Sequence, residues 1–97
     1  MAKRVIWSIR ASEDRRTILT YWNHRNQSKQ YSKKLNKLFN ECISLIQDFP
    51  NIGVQTDLDN VRKLNVGHYA IFYSVEPDFI AILAIWDGRQ DPDKLKI

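Results

Sequence analysis

Residues 79–86, FIAILAIW, are eight apolar residues in succession, and this run constrains the fold more than any other feature. A strand with one face in water alternates apolar and polar residues, so a continuous apolar run indicates a strand that is covered on both faces. Such a strand lies inside a sheet, with helices over at least one face. The polar residues DGRQDP follow at once, so we expect the strand to deliver polar groups to one edge of the sheet.

Three further segments read as strands. Residues 3–9 alternate Val5, Trp7 and Ile9 onto one face, and residues 60–66 and 68–75 are rich in β-branched and aromatic residues. The sequence Glu-Pro-Asp at 76–78 predicts the turn into the last strand, because proline presets a turn dihedral. Residues 50–60 read as an irregular connection.

Two helices separate the first strand from the others. Ser12 is a candidate N-cap, followed by acidic residues that suit the positive end of the helix dipole, and this helix should run to about His24 with its inner face formed by Ile18, Leu19 and Trp22. Ser28 is the candidate cap of the second helix, which should end at the Phe49–Pro50 step. Its apolar positions recur at helical spacing: Tyr31, Leu35, Leu38, Cys42, Leu45 and Phe49, with Phe39 and Ile46 beside them.

The element order predicts one α+β domain over residues 1–97: strand, helix, helix, strand, strand, strand. The helical hairpin should pack on one face of a twisted, mainly antiparallel sheet. The last three strands form a meander, in which the second and fourth strands run parallel and flank the third. On that topology Arg62 begins its strand and Arg89 follows the end of its own, so the two cations lie apart unless the exit folds back.

Charge is unevenly distributed along the chain. Residues 1–40 carry ten Lys and Arg against two acidic residues, whereas residues 41–97 carry five against nine, which gives +8 and −4. This asymmetry predicts a cationic face that attracts a polyanion or an acidic protein, with a solvated helix surface as the plain alternative. The lone Cys42 is interpreted as a small buried hydrophobe. We see no signal peptide or membrane span, which fits a reducing cytoplasm.

Three pieces of sequence together resemble the RelE/ParE superfamily of bacterial toxins. They are Arg62 opening the second strand, the stretch HYAIFYSV at 68–75, and the apolar last strand that runs into Gly-Arg-Gln-Asp-Pro at 88–92. The second helix, ending in Phe-Pro-Asn-Ile-Gly, adds to the resemblance. The family implies a toxin of a type II toxin–antitoxin system of the plasmid-stabilisation type, which inhibits growth and is neutralised by a cognate antitoxin.

Two mechanisms occur in that superfamily. RelE-like members cut messenger RNA in the ribosome, and ParE-like members inhibit DNA gyrase. RNA cleavage needs a base, an acid and cations for the extra charge on phosphorus. The candidate cations are Arg62, Lys63 and Arg89. RNA-cutting relatives carry a His or Tyr after the fourth strand, but here Asp87 stands before Gly88. His24, His68 and Glu41 are interpreted as exposed structural side chains.

The residues therefore favour a binding toxin that acts on gyrase over a metal-independent endoribonuclease acting on ribosome-bound messenger RNA. A third hypothesis is a non-toxic member that acts only as a corepressor, reaching operator DNA through its antitoxin. The sequence suggests neither a metal site nor a cofactor. The candidate partner-binding residues are aromatic, cationic or at the strand exit: Arg89, Asp87, Trp86, Trp22, Tyr31, Lys33, Lys34 and Lys37.

Two further expectations concern the strand exit. Trp86 should close the core, and Arg89 should either contact a partner or be held in an ion pair by Asp87 or Asp91. We also predict that Arg62→Ala and Arg89→Ala each weaken toxicity without unfolding the domain, and equal toxicity at unchanged thermal stability would show that neither residue carries function.

Overall fold

The computed structural model describes residues 3–90 and 94–95. Its elements are two helices and five strands: β1 (Arg4–Trp7), α1 (Ile9–Asn26), α2 (Gln30–Asp48), β2 (Val54–Gln55), β3 (Val61–Val66), β4 (Tyr69–Val75) and β5 (Phe79–Asp87). The strands form one sheet in the order β1-β5-β4-β3-β2. Only β1 and β5 pair in parallel, and the other neighbours are antiparallel. The predicted α+β fold is confirmed.

The last strand lies inside the sheet, as its continuous apolar run predicts. β5 pairs with β1 on one side and with β4 on the other, and β3 and β5 flank β4 as expected. One element was missed. Val54 and Gln55 form the short edge strand β2, paired with Lys63 and Arg62, within the stretch interpreted as irregular. Two residues are too few to leave a periodicity in the sequence.

The helices cover one face of the sheet, called the inner face here. Its core is built mainly from α2, β4 and β5, and the large side chains that are wholly buried include Phe39, Ile71, Tyr73, Ile80 and Ile82. A smaller cluster on the outer face contains Val61, Ala70, Phe72 and Ala84. Trp86 packs against this outer cluster and not against the main core. It pairs with Ala70, so its side chain points to the outer face, whereas the neighbouring Ile85 and Asp87 point to the inner face.

The first helix begins earlier than predicted, and Ser12 is not its cap. The Ser8 amide donates to the Ile82 carbonyl at 2.9 Å, which ends β1, and the Ser8 hydroxyl accepts from the Ala11 amide at 2.9 Å. Because the helix starts at Ile9, its first turn contains no acidic residue. The helix ends at Asn26, with Gln27 in the left-handed conformation at φ 49°.

The inner face of α2 is also shifted from the predicted stripe. Its buried residues are Ser32, Leu35, Phe39, Ile43 and Ile46, whereas the predicted stripe members Tyr31, Leu38, Leu45 and Phe49 are exposed. Apolar residues at helical spacing define a broad arc, and docking on the sheet selects one side of it. The other side remains as an apolar flank. At the start of α2, the Ser28 hydroxyl accepts from the Gln30 amide at 3.1 Å, although Lys29 is the capping residue by conformation.

Candidate partner-binding groove

The exit of β5 meets the helical hairpin at one end of the molecule, which we call the hairpin end. It comprises the helix connection at 27–29, the β3–β4 turn at 67–68 and the β5 exit at 88–90. The Gly88 amide donates to the His68 carbonyl at 2.7 Å, so the exit is tied to the turn. A Cβ at Gly88 would lie 3.0 Å from that carbonyl oxygen, which favours glycine at this close approach.

Arg89 is held by Asp87 in a bidentate ion pair. The Arg89 side chain donates to the two Asp87 carboxylate oxygens at 3.0 and 2.8 Å, and its amide donates to one of them at 2.9 Å. Hydrogen bonding from Arg89 is the main cause that holds the pKa of the Asp87 carboxyl below its ordinary value, and it outweighs the opposing effect of burial. The expected ion pair with Asp87 is therefore present. The alternative partner, Asp91, lies outside the described residues, as does Pro92.

Two cavities adjoin at this end, and Tyr69 and Arg89 line both of them. The first is about 270 Å³ and opens between α1 and the β5 exit, with Tyr21 and Asp87 in its wall. The second is about 260 Å³ and lies between α2 and the β3–β4 turn. Its apolar lining includes Leu35, Leu38 and Val66. We call the two cavities together the hairpin-end groove.

An aromatic cluster forms the helical wall of the groove. The Trp22 ring contacts Tyr31 at a centroid distance of 4.8 Å and Tyr21 at 5.2 Å, both edge to face. The Trp22 Nε1 donates to the Tyr69 hydroxyl at 2.8 Å, which joins α1 to β4. The Arg25 guanidinium lies 5.7 Å from the Trp22 ring centroid. The wall thus combines rigid aromatic surface with a cation, a composition typical of binding hot spots.

Of the proposed partner-binding residues, the groove brings together Arg89, Asp87, Trp22 and Tyr31. Lys34 lines a neighbouring cleft of about 420 Å³ that shares Tyr31. Lys33 and Lys37 are exposed on α2. Trp86 packs on the outer face and lines neither cavity of the groove, although it lines a neighbouring cavity with Asp87 and Gln90. Tyr21, Leu38 and Tyr69 were missed as groove residues. The stretch HYAIFYSV contains Tyr69, but only the contact with Trp22 identifies it as a wall of the groove.

The three candidate catalytic cations do not form one site. Arg62 pairs with Tyr73, and Asp87 pairs with Tyr69. Tyr69 and Tyr73 lie four residues apart along β4, which is about 13 Å at the usual rise of a strand, so Arg62 and Asp87 are separated by a similar distance along the sheet. The Arg62 guanidinium donates to the Gly53 carbonyl at 2.7 Å and the Asn51 carbonyl at 3.3 Å. Lys63 follows Arg62 in the strand, so it lies on the opposite face of the sheet.

The remaining expectations from the sequence concern Cys42, metal ligands and membrane-spanning helices. Cys42 is half-buried against the core, and burial, with a smaller contribution from Glu41, raises the pKa of its thiol, which makes it a weak nucleophile. Within residues 3–90 and 94–95, no group of three or more His, Cys, Asp or Glu side chains is arranged to bind a metal. None of the helices in that part of the chain has the length and hydropathy needed to cross a membrane.

Two solved structures and one family model match this chain. The fold resembles that of the chromosomal ParDE toxin–antitoxin system from P. aeruginosa, with a TM-score of 0.73, 19% identity, and coverage of 87% of this chain and 94% of that chain. It also resembles the YoeB dimer from Staphylococcus aureus, with a TM-score of 0.62, 17% identity and the same coverage. No curated protein shows significant sequence similarity.

The chain therefore shares the fold of both of these structures. Residues 5–92 match the model of the ParE toxin family of the type II toxin–antitoxin system parDE, and the chain belongs to this family. The recognition of a RelE/ParE superfamily toxin from the sequence is confirmed. Membership in a toxin–antitoxin family implies a cognate antitoxin as a partner.

Proposed function

We propose that this toxin acts by binding DNA gyrase and inhibiting it, and that it does not cleave RNA. The observation that carries the proposal is the ion pair between Asp87 and Arg89. A general acid must hold a proton near neutral pH, but hydrogen bonds from Arg89 lower the pKa of Asp87 and keep its carboxyl ionised. The positive charge of Arg89 is in turn balanced by the Asp87 carboxylate, so the guanidinium attracts a phosphate less strongly than a free guanidinium would.

The positions of the other two cations support the same proposal. Arg62 donates hydrogen bonds to backbone carbonyls of the loop that leads into β2. These structural contacts hold the Arg62 guanidinium against the loop. Lys63 lies on the outer face of the sheet, whereas Asp87 lies on the inner face with Tyr69. Stabilising one phosphorane requires cations around one phosphorus atom, and these side chains do not converge.

The experiment is a gyrase supercoiling assay with the purified chain and with the variants Arg89→Gln and Lys63→Gln. We expect the wild type to inhibit supercoiling and the antitoxin to reverse the inhibition. Arg89→Gln should weaken inhibition about ten-fold, the equivalent of about 1.4 kcal/mol of binding free energy, while Lys63→Gln should leave it unchanged. Full gyrase activity at doses of toxin that arrest growth would contradict the proposal.

An endoribonuclease that acts on ribosome-bound messenger RNA is the second candidate. The observation in its favour is that His68 and the Tyr69 ring line the groove beside Arg89, which places titratable side chains near a cation. Primer extension on messenger RNA after induction tests it. Transcripts cut within codons in arrested cells would support this mechanism, and intact transcripts would exclude it. Normal growth on expression without antitoxin would instead support a non-toxic corepressor.

A further inference from the structure

The helical hairpin contains a long cationic segment without acidic residues. Residues 15–40 hold seven of the fifteen Lys and Arg residues of the chain, and all eleven Asp and Glu residues lie outside this segment. A fold can still place distant acidic side chains against such a segment, so the ion pairs of the structure decide whether its charge is balanced.

Lys29, which caps α2, forms a row with Lys33 and Lys37, called the lysine row here. Residues four apart lie on one side of a helix and each step rises about 6 Å, so the row spans about 12 Å. All three residues are exposed. Among the described residues, no acidic side chain forms an ion pair with any of the three. The first acidic residue further along α2 is Glu41, one turn beyond the row.

The position of the lysine row is unfavourable for the helix itself. Lys29 and Lys33 stand at the positive end of the α2 dipole, and the first turn contains no acidic residue to offset them. Like charges four residues apart on a helix also repel each other. The row therefore costs α2 some stability, and an anionic ligand would relieve both effects.

The residues around the lysine row indicate which anion it suits. Every other α2 residue three or four positions from a member of the row is polar: Gln30, Ser32, Lys34, Asn36, Asn40 and Glu41. These neighbours include amide groups that can donate to phosphate oxygens, but none has an aromatic ring on which an unpaired base could stack. The row is therefore suited to the backbone of a duplex and not to a single strand.

The dimensions favour DNA over double-stranded RNA. Duplex DNA presents about seven phosphates over 12 Å of its axis, and its major groove is wide enough to admit an α-helix. An A-form RNA helix has a narrow major groove, and proteins recognise it largely through hydroxyls of the minor groove. A helix that carries a row of cations on its exposed side is thus complementary to DNA phosphates.

We infer that the lysine row binds the phosphate backbone of double-stranded DNA without regard to base sequence. Each lysine neutralises one phosphate, and the release of counterions makes the affinity depend on salt. The inference goes beyond the proposed inhibition of gyrase and does not rest on it. A toxin that inhibits supercoiling but does not bind DNA would contradict this inference and leave the proposed function standing.

Fluorescence anisotropy of a labelled duplex of about 20 base pairs, titrated with the full-length toxin, measures the affinity. Three neutralised phosphates predict a slope of about −2.7 for the logarithm of the association constant against the logarithm of salt concentration. The affinity should therefore fall about 40-fold between about 0.05 and 0.2 M salt. Absence of saturable binding at the lower concentration, or a slope near zero, would overturn the inference.

Two double variants of equal net charge locate the surface. Lys33→Gln with Lys37→Gln should weaken binding about ten-fold or more at low salt and reduce the slope to about −0.9. Arg4→Gln with Lys63→Gln is the matched control, since both residues are exposed on the outer face of the sheet.

The control also separates the lysine row from the overall charge of the protein. Equal losses of affinity in the two double variants, at unchanged melting temperature, would overturn the inference, because the net charge and not the row would then attract the duplex. Tighter binding to single-stranded or double-stranded RNA of the same length would overturn it as well.

Discussion

Tyr73 shows how one side chain anchors a loop to the core. Its ring is fully buried at the centre of the sheet, and its hydroxyl donates to the Pro50 carbonyl and accepts from the Gly53 amide, both at 2.8 Å. A Cβ at Gly53 would lie 2.6 Å from the hydroxyl oxygen and 2.8 Å from the Lys63 carbonyl oxygen. Gly53 is therefore required because the loop backbone approaches Tyr73 and β3 so closely.

Replacing this phenol tests the anchor. Tyr73→Phe leaves the Gly53 amide and the Pro50 carbonyl without the partner they have in the wild type, so we expect a loss of about 1–3 kcal/mol in the free energy of unfolding. Urea denaturation measures the loss, with Tyr21→Phe as the control, because Tyr21 is 53% exposed. A loss no larger than that of the control would show that the hydroxyl contributes nothing to stability.

The same residue predicts a dependence on alkaline pH. Burial raises the pKa of Tyr73, while the bond from Gly53 and the charge of Arg62 partly oppose the shift. The stability it contributes is complete below the pKa of an unfolded tyrosine, and it is lost as pH rises through the higher folded value. The decline of unfolding free energy above about pH 10 should therefore be shallower in Tyr73→Phe.

At the scale of elements, α1 completes an edge that β1 leaves open. β1 ends at Trp7 opposite Ile82, while β5 continues to Asp87. The Ser8 hydroxyl donates to the Leu83 carbonyl at 3.1 Å, and the Asp14 carboxylate accepts from the Ile85 amide at 3.0 Å. Leu83 is the extra residue of an irregularity in the β4–β5 register. Beyond the end of β1, the side chains of the cap Ser8 and of Asp14 in α1 therefore supply hydrogen-bond partners to the β5 backbone.

Removing the Asp14 acceptor should destabilise the protein. Ile85 is almost fully buried, so Asp14→Ala leaves its amide unpaired and should cost about 1–3 kcal/mol of unfolding free energy. Asp14→Asn retains a side-chain oxygen and should cost less. Urea denaturation compares both with Glu13→Ala, which changes a neighbouring exposed carboxylate. Equal stability of Asp14→Ala and Glu13→Ala would contradict this account of the edge.

Over the whole molecule, the charge is polarised. The hairpin end and α2 carry the exposed cations Arg25, Lys29, Lys33, Lys34 and Lys37. The acidic residues Asp57, Asp59, Glu76 and Asp78 lie in the connections at the other end of the sheet, where β3 begins and β4 joins β5. Such a separation orients an approaching acidic partner toward the hairpin end.

This polarity predicts how antitoxin binding responds to salt. Raising ionic strength from about 0.05 to 0.5 M should slow association about ten-fold or more and change dissociation much less, because screening acts on the long-range field. Stopped-flow fluorescence of Trp22 and the other tryptophans measures both rates. The double variant Lys33→Gln, Lys37→Gln should associate more slowly and depend less on salt. An association rate that does not vary with salt would contradict the prediction.

The groove shows the limit of what the sequence predicts. Trp22, Tyr31, Asp87 and Arg89 were recognised from their residue types, but the distance between the helix connection and the β5 exit depends on how the hairpin crosses the sheet. Leu38 was assigned to the core because helical spacing alone does not distinguish the docked side of an apolar arc from its flank. Arg62 was a candidate catalytic cation under the nuclease hypothesis alone. Its contact with the Gly53 carbonyl could not be predicted, because that contact depends on the path of the loop.

The sequence by itself determined the order of the elements, the α+β class, the interior position of β5 and the family. These properties follow from local periodicity, turn residues and a continuous apolar run, which act over a few residues. Tertiary structure decided the cap of α1, the docked face of α2 and the occupation of Arg89 by Asp87. Each of these depends on hydrogen bonds or packing whose geometry is fixed only when the helices dock on the sheet.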